Sequence, residues 1–190
     1  MRRTGPFYRF LLDSATAVAI KLLRIRVHIS GIERIPKDEK VLFVCNHRSN
    51  YDPLITRCAL NKWKIAFASK PENFKVPFFG RIIRKCCFLP IDRENPRKAI
   101  VTINKAAKLL KKQEVSIGIY PEGTRSKNCR LLPFHNGVFK IAQKAEAPIV
   151  VLSITGTEKI SKRTPFQHTD VYLDVLEVFP SGNIQELKQK

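Results

Sequence analysis

The chain has 190 residues, 44% of them apolar, which is enough for one domain with a hydrophobic core and too apolar for a disordered protein. Its 35 Lys and Arg stand against 16 Asp and Glu, a net charge of +19, and such an excess points to an anionic partner: nucleic acid, a membrane surface or a phosphorylated substrate. The five cysteines, Cys45, Cys58, Cys86, Cys87 and Cys129, lack CxxC spacing, which argues for a reducing compartment and against a disulfide framework or a zinc site.

Charges interrupt the N-terminal apolar stretch, unlike the core of a signal peptide, and no run reaches the ~18–20 apolar residues that span a bilayer. Residues 6–25 read as a helix. At about 100° per residue, Phe7, Leu11, Val18, Leu22 and Ile25 share one narrow arc flanked by Tyr8, Ala15 and Ala19. Arg9, Asp13, Thr16, Lys21 and Arg24 lie opposite. Two fates suit this pattern: an anchor lying in the membrane interface, or a helix docked by its apolar arc on the protein's own core. The nearby Arg2, Arg3 and Arg26 favour the membrane.

A strand over 25–30 and a polar turn to Lys40 lead into the apolar run 41–45, a buried strand. A helix follows from Pro53 to Leu60, then a strand over 65–68. Residues 76–85 mix aromatic and basic side chains, suiting either an acyl or lipid contact or a core element with its charges exposed. Cys86 to Ile91 reads as a strand holding two buried thiols. Asn95-Pro96 caps a helix to Lys112 whose apolar side, Ala99, Ile100, Ile103, Ala106, Ala107 and Leu110, belongs in the core. Strands over 115–120, 148–155 and 171–179 surround a helix near 136–146. The class is α/β, a mixed, mostly parallel sheet flanked by helices with an antiparallel edge. Residues 1–190 make a single domain: an N-terminal amphipathic helix over 1–25, a core over 26–180 and a loosely held tail over 181–190.

Two turns carry chemistry. Asn46-His47-Arg48-Ser49-Asn50-Tyr51-Asp52 follows a strand, placing an imidazole and a carboxylate at a strand end, where βα units bind ligands. Imidazole can take a proton from a hydroxyl and return it to a leaving group, and a carboxylate on its other nitrogen holds the tautomer. The same residues also suit a capped helix start, with Asp52 before Pro53 and Ser49 three residues ahead of Asp52. The second turn, Pro121-Glu122-Gly123-Thr124-Arg125-Ser126, offers backbone N–H groups and a guanidinium to a phosphate, or is an ordinary turn.

Taken in order, these blocks resemble the PlsC-like glycerolipid acyltransferases, specifically the bacterial 1-acylglycerol-3-phosphate acyltransferases. Residues 46–52 match the family's NHxSxxD, 88–93 the block ending in Arg93, 120–126 FPEGTRS, and 147–154 the late apolar block. Three departures are mild: Tyr120 stands for Phe, Cys87 for Gly and Val151 for Pro.

The resemblance implies an enzyme that moves a fatty acyl group from acyl-CoA or acyl-carrier protein to the free hydroxyl of 1-acylglycerol-3-phosphate, giving phosphatidic acid. It assigns His47 as general base and Asp52 as its partner. It places the acceptor's phosphate on Arg93, Glu122, Gly123, Thr124 and Arg125, with Glu122 ordering an arginine or touching the glycerol, or else serving in a structural ion pair. Asn46 and Ser49 shape the turn. The hydroxyl attacks the thioester directly, the cysteines are spectators, and no metal or redox cofactor is implied. The partners are the lysophospholipid, the acyl donor and an anionic membrane, which the chain meets at its cytoplasmic face as a peripheral or monotopic protein. A related enzyme using glycerol-3-phosphate, another lysophospholipid or an aminolipid would carry the same motifs. A nucleic-acid-binding module would explain the charge but neither motif, since the aromatics are not interleaved with the basic runs as stacking platforms.

Overall fold

An apolar run with no polar alternation is buried on both faces of a sheet. Leu42–Cys45 is such a strand, with Leu42 and Val44 packed into one core cluster and Phe43 and Cys45 into another. The computed structural model describes residues 5–92, 95–126 and 128–181. Its strands are β1 (Ile25–Ser30), β2 (Leu42–Cys45), β3 (Ala66–Ser69), β4 (Leu89–Pro90), β5 (Ile117–Ile119), β6 (Ile149–Thr155) and β7 (Thr169–Phe179). Its helices are α1 (Pro6–Leu22), α2 (Asp52–Ala59), α3 (Phe79–Lys85), α4 (Pro96–Lys111), α5 (Phe139–Ala145) and α6 (Ile160–Arg163).

The strands form one sheet in the order β1-β7-β6-β2-β5-β3-β4. From β6 to β4 every pairing is parallel, as expected. The antiparallel edge is two strands wide: β7 runs antiparallel to β6, and β1, parallel to β7, forms the edge outside it. The cluster containing Leu42, Val44 and Ile117 is covered by α4 and α5, and the cluster containing Phe43, Phe67 and Tyr120 takes in Ile55 of α2. Because β2 and β5 are parallel neighbours, Leu42 beside Ile117 and Val44 beside Ile119, the segments that leave them emerge at one rim.

Several sequence expectations shift at element ends. The helix over 95–112 forms with Asn95 Oδ1 accepting from the Lys98 N–H at 3.2 Å, but Ile100 is 54% exposed because the core-facing stripe runs through Ala106, Ala107 and Leu110. Cys86 and Cys87 are buried as expected, yet in the turn closing α3, with Cys87 at φ 64°, so the strand begins only at Leu89. Ile25 belongs to β1 and is buried, not to the apolar arc of the first helix.

That helix is docked the other way round from an ordinary amphipathic helix. Phe7, Leu11, Val18 and Leu22 are exposed, and Phe10 with them. Of the expected polar side, Arg9, Asp13 and Thr16 turn inward while Lys21 and Arg24 stay exposed: Thr16 is 3% exposed, its Oγ1 donating to Leu12 O at 2.7 Å. Asp13 Oδ1 accepts from Arg57 Nη2 at 2.7 Å, and Arg57 Nη1 donates to Ile65 O at 2.6 Å. Arg57 is buried, so this contact with α2 replaces the water its guanidinium gives up. Burial, and then the Arg57 charge, lowers the Arg9 pKa one turn earlier. Beside α1 lies α3, preceded by Phe78, which is 86% exposed.

Removing the Asp13 carboxylate strands a buried charge. Asp13→Ala should lower unfolding free energy by about 1.5–3 kcal/mol, read from urea melts, and loosen α1. An unchanged midpoint would mean that α1 is held by its apolar contacts alone.

Candidate active site

His47 leaves the end of β2, and α2 begins five residues later, so the chain folds back and brings Asp52 beneath the imidazole. Asp52 is fully buried, and one oxygen, Oδ2, gathers three donors: His47 Nδ1 at 2.8 Å, Arg48 N at 2.7 Å and Ser49 N at 2.8 Å. An oxygen that already accepts two backbone N–H groups serves as an acceptor towards the ring as well, so His47 Nδ1 donates to it and Nε2 is left for the cleft that His47 lines. The expected helix cap is not formed: α2 begins at Asp52, after Tyr51, with no side-chain cap, and Asp52 N donates to the Ser49 carbonyl. The carboxylate instead reaches back to Ser49 N and closes the turn ahead of the helix, and the same oxygen holds the histidine. Ser49 Oγ accepts from Tyr51 N at 3.3 Å and tightens the turn.

The loop after β5 grips this turn from the neighbouring strand. Glu122 Oε1 accepts from His47 N at 2.6 Å, and Ser126 N donates to His47 O at 2.9 Å, so the histidine backbone is held at both polar groups. The other Glu122 oxygen accepts from Leu132 N at 3.0 Å. Glu122 is buried with each oxygen accepting from main chain, so it braces the histidine turn and its own loop. On the opposite side Asn46 bridges to β6, accepting from Ile154 N at 2.7 Å and donating to Ile154 O at 2.9 Å.

Gly123 adopts φ +67°, and a Cβ there would sit 2.9 Å from the His135 ring. The backbone requires glycine there before any ligand is considered. Beyond it the exposed Thr124 and Arg125 reach a cleft of about 500 Å³ that also takes in His47, Lys70, Arg57 and Tyr120. Phe67, Phe79, Ile83 and Phe88 give the cleft an apolar wall. A second, mainly apolar cavity of about 320 Å³ lies on the α4 side and shares Ala68 and Tyr120 with the first. The expected site residue Arg93 lies outside the described residues.

Sequence reasoning missed Lys70, Arg57 and His135, none of which belongs to a motif, and treated Tyr120 only as a variant of Phe. Tyr120 is central. Its ring stacks on the His47 imidazole at 4.2 Å and 19°, and on Phe67 at 5.9 Å and 5°. Burial holds its phenol well above the ordinary pKa. Burial also pushes the Cys45 thiol well up, helped by the Asp52 and Glu122 carboxylates, and raises Cys58, Cys86 and Cys87. None of these four is an activated thiolate.

Deleting the Glu122 carboxylate leaves two main-chain N–H groups inside the protein without acceptors. Glu122→Ala should cost about 2–4 kcal/mol of stability, taking roughly 1–2 kcal/mol per stranded group. Denaturant melts read this directly, and a loss under about 0.5 kcal/mol would show that the loop closes without it.

The geometry has counterparts in known proteins. The family model described as Acyltransferase matches residues 26–155. A 1-acyl-sn-glycerol-3-phosphate acyltransferase of Cocos nucifera is 38% identical over 118 residues, 62% of this chain and 38% of that protein. One of Salmonella typhimurium is 32% identical over 145 residues, 76% of this chain and 58% of that protein. The chloroplastic BAT2 enzyme of the same name from Brassica napus is 35% identical, covering 84% of this chain and 45% of its own length. The chain therefore spans about two fifths to three fifths of these curated relatives. The crystal structure of the 1-acyl-sn-glycerophosphate acyltransferase PlsC from Thermotoga maritima shares the fold, with TM-score 0.76 over 96% of this chain and 80% of that one at 24% identity. Since the matched stretch includes β2, the His47–Asp52 pair and the Glu122 loop that clamps it, the chain belongs to the acyltransferase family.

Proposed function

We propose that the chain transfers a fatty acyl group from acyl-CoA or acyl-carrier protein to the free hydroxyl of 1-acylglycerol-3-phosphate, giving phosphatidic acid. The observation that carries this reading is the His47 Nδ1–Asp52 Oδ2 contact of 2.8 Å, with Nε2 turned to a cleft that has cations and an apolar wall. His47 Nε2 takes the acceptor's hydroxyl proton as its oxygen attacks the thioester carbonyl. The proton then passes to the departing thiolate, and Asp52 stabilises the imidazolium between the two transfers. Arg125 and Lys70 stand at the cleft for the acceptor's phosphate. Arg93 joins them in this proposal on its sequence block alone. The raised cysteine pKa values support direct transfer without an acyl-enzyme. No resident cofactor enters the scheme. The relatives named 1-acyl-sn-glycerol-3-phosphate acyltransferase support the choice of acceptor.

The same proposal places the protein on an anionic membrane, at its cytoplasmic face. Among the described residues no helix is long and apolar enough to cross a bilayer. Instead Phe7, Phe10, Leu11, Val18 and Leu22 face away from the core, a side that water disfavours and the headgroup–acyl boundary accepts. We assign the surplus positive charge to anionic lipid, not to nucleic acid.

With labelled acyl-CoA and dispersed lysophosphatidate, His47→Ala should lose about 10²–10⁴-fold in turnover while melting like the parent. Asp52→Asn should fail as well, because an amide cannot hold the Nδ1–H tautomer. A folded, active His47→Ala would overturn the mechanism.

Replacing Phe7, Phe10 and Leu22 together by Ser removes three exposed apolar side chains without touching the Asp13–Arg57 contact. At about 1–2 kcal/mol each, their loss should weaken sedimentation with phosphatidylglycerol-containing vesicles by roughly 100-fold or more. The remaining binding should depend more steeply on salt than the parent's, since screened charge now carries a larger share of it. Equal vesicle binding by variant and parent would remove α1 from the membrane contact.

A further inference from the structure

Beneath the His47–Asp52 pair lies a group of polar atoms that the proposed chemistry does not use. All three donors that reach the Asp52 carboxylate go to Oδ2, while its other oxygen, Oδ1, is buried without a partner. One helical turn on, at the spacing that sets two side chains over each other, Thr56 is 1% exposed and its Oγ1 is also unpartnered. The Tyr120 hydroxyl is the third such atom, buried with no partner at full hydrogen-bond geometry, although it is close enough to the Thr56 hydroxyl to interact with it. It lies beside Thr56 and within reach of the Asp52 charge, while its ring stacks on His47.

An acceptor-only oxygen and two hydroxyls, all cut off from solvent, form a complementary set. A single water with three polar partners is an ordinary buried water, and this set supplies three. We propose that Thr56 and Tyr120 are positioning residues for the His47–Asp52 pair: their hydroxyls, bridged by one buried water, hold Asp52 Oδ1 in place. The inference rests on the catalytic reading of that pair and adds to it residues that belong to neither reacting group.

The consequence has a sign. A hydrogen bond donated to Oδ1 draws carboxylate charge away from Oδ2, so less of it reaches His47. Removing the donor returns that charge and favours the imidazolium. The other charged and titratable groups around the imidazole are Glu122 on its backbone, Cys45 on β2, and Arg57, Lys70 and Arg125 along the cleft. Neither Tyr120→Phe nor Thr56→Val alters any of them.

Tyr120→Phe keeps the stacked ring, and Thr56→Val keeps the side-chain shape, so both variants should fold. In the acylation assay each should lower kcat about 3–10-fold with KM unchanged, and move the acid limb of the kcat/KM profile upward by about 0.5–1 pH unit. Thr56→Ser, which keeps the hydroxyl, should restore the parent profile, and the double variant should be no worse than either single one. The His47 ring resonances in the substrate-free protein should show the same displacement by NMR. An inactive His47→Ala beside an unmoved acid limb and unmoved resonances in both folded variants would overturn this inference alone. An active His47→Ala would overturn the catalytic reading and this inference with it.

Discussion

The structure turns on one buried oxygen. Asp52 Oδ2, on the first residue of α2, closes the turn after β2 through Arg48 N and Ser49 N and fixes the imidazole, with all three donors within 2.8 Å. A carboxylate removed from water is tolerated when donors surround it, and here the donors are mostly main chain. Their geometry is therefore independent of side-chain rotamers. The helix is consequently bound to the histidine, and neither can move without stranding a charge. The apolar cluster packed around Ile55 then carries that constraint into the body of the protein.

A second constraint arrives from 75 residues away. Parallel strands need a crossover, so adjacent parallel strands deliver distant segments to one rim. The pairing of β2 with β5 does this for the histidine turn and the Glu122 loop. Glu122 spends its charge on the His47 and Leu132 amides. Arg125 and Lys70 are the basic side chains that line the cleft beside this brace. A single acidic residue in a conspicuous loop thus acts as a brace, while the loop's arginine lies exposed at the cleft.

The N-terminal helix shows how one periodicity serves two surroundings. Its polar side meets the protein through Asp13, Arg57 and Thr16, where hydrogen bonds replace lost water. Its apolar arc is left facing outward. An amphipathic helix docked on its own core would bury that arc, and this one does not. The partner of Asp13 sits on α2, the helix that also carries Asp52, so the surface contact and the site share one rigid element.

The sequence by itself determined what local chemistry and periodicity can determine. The apolar run 41–45, the Asn95 cap, the α/β alternation and the His47–Asp52 spacing were legible because each rests on a few neighbouring residues. So was the arc of Phe7, Leu11, Val18 and Leu22, though not the direction in which it faces. The tertiary structure alone decided the rest. Which strands pair, and hence that Glu122 clamps His47, depends on contacts far apart in the chain. That β7 is interior and β1 the edge depends on which faces the helices cover, a property no strand encodes. Ile100 looked like core by its period but lies beyond the reach of the sheet. Lys70 and Arg57 belong to no motif, and they join the site only because two strands and a helix end beside it. Burial decides Tyr120 in the same way: a hydroxyl that sequence reads as a mild change from Phe becomes, once enclosed with Thr56 and Asp52, a polar group that must find a partner.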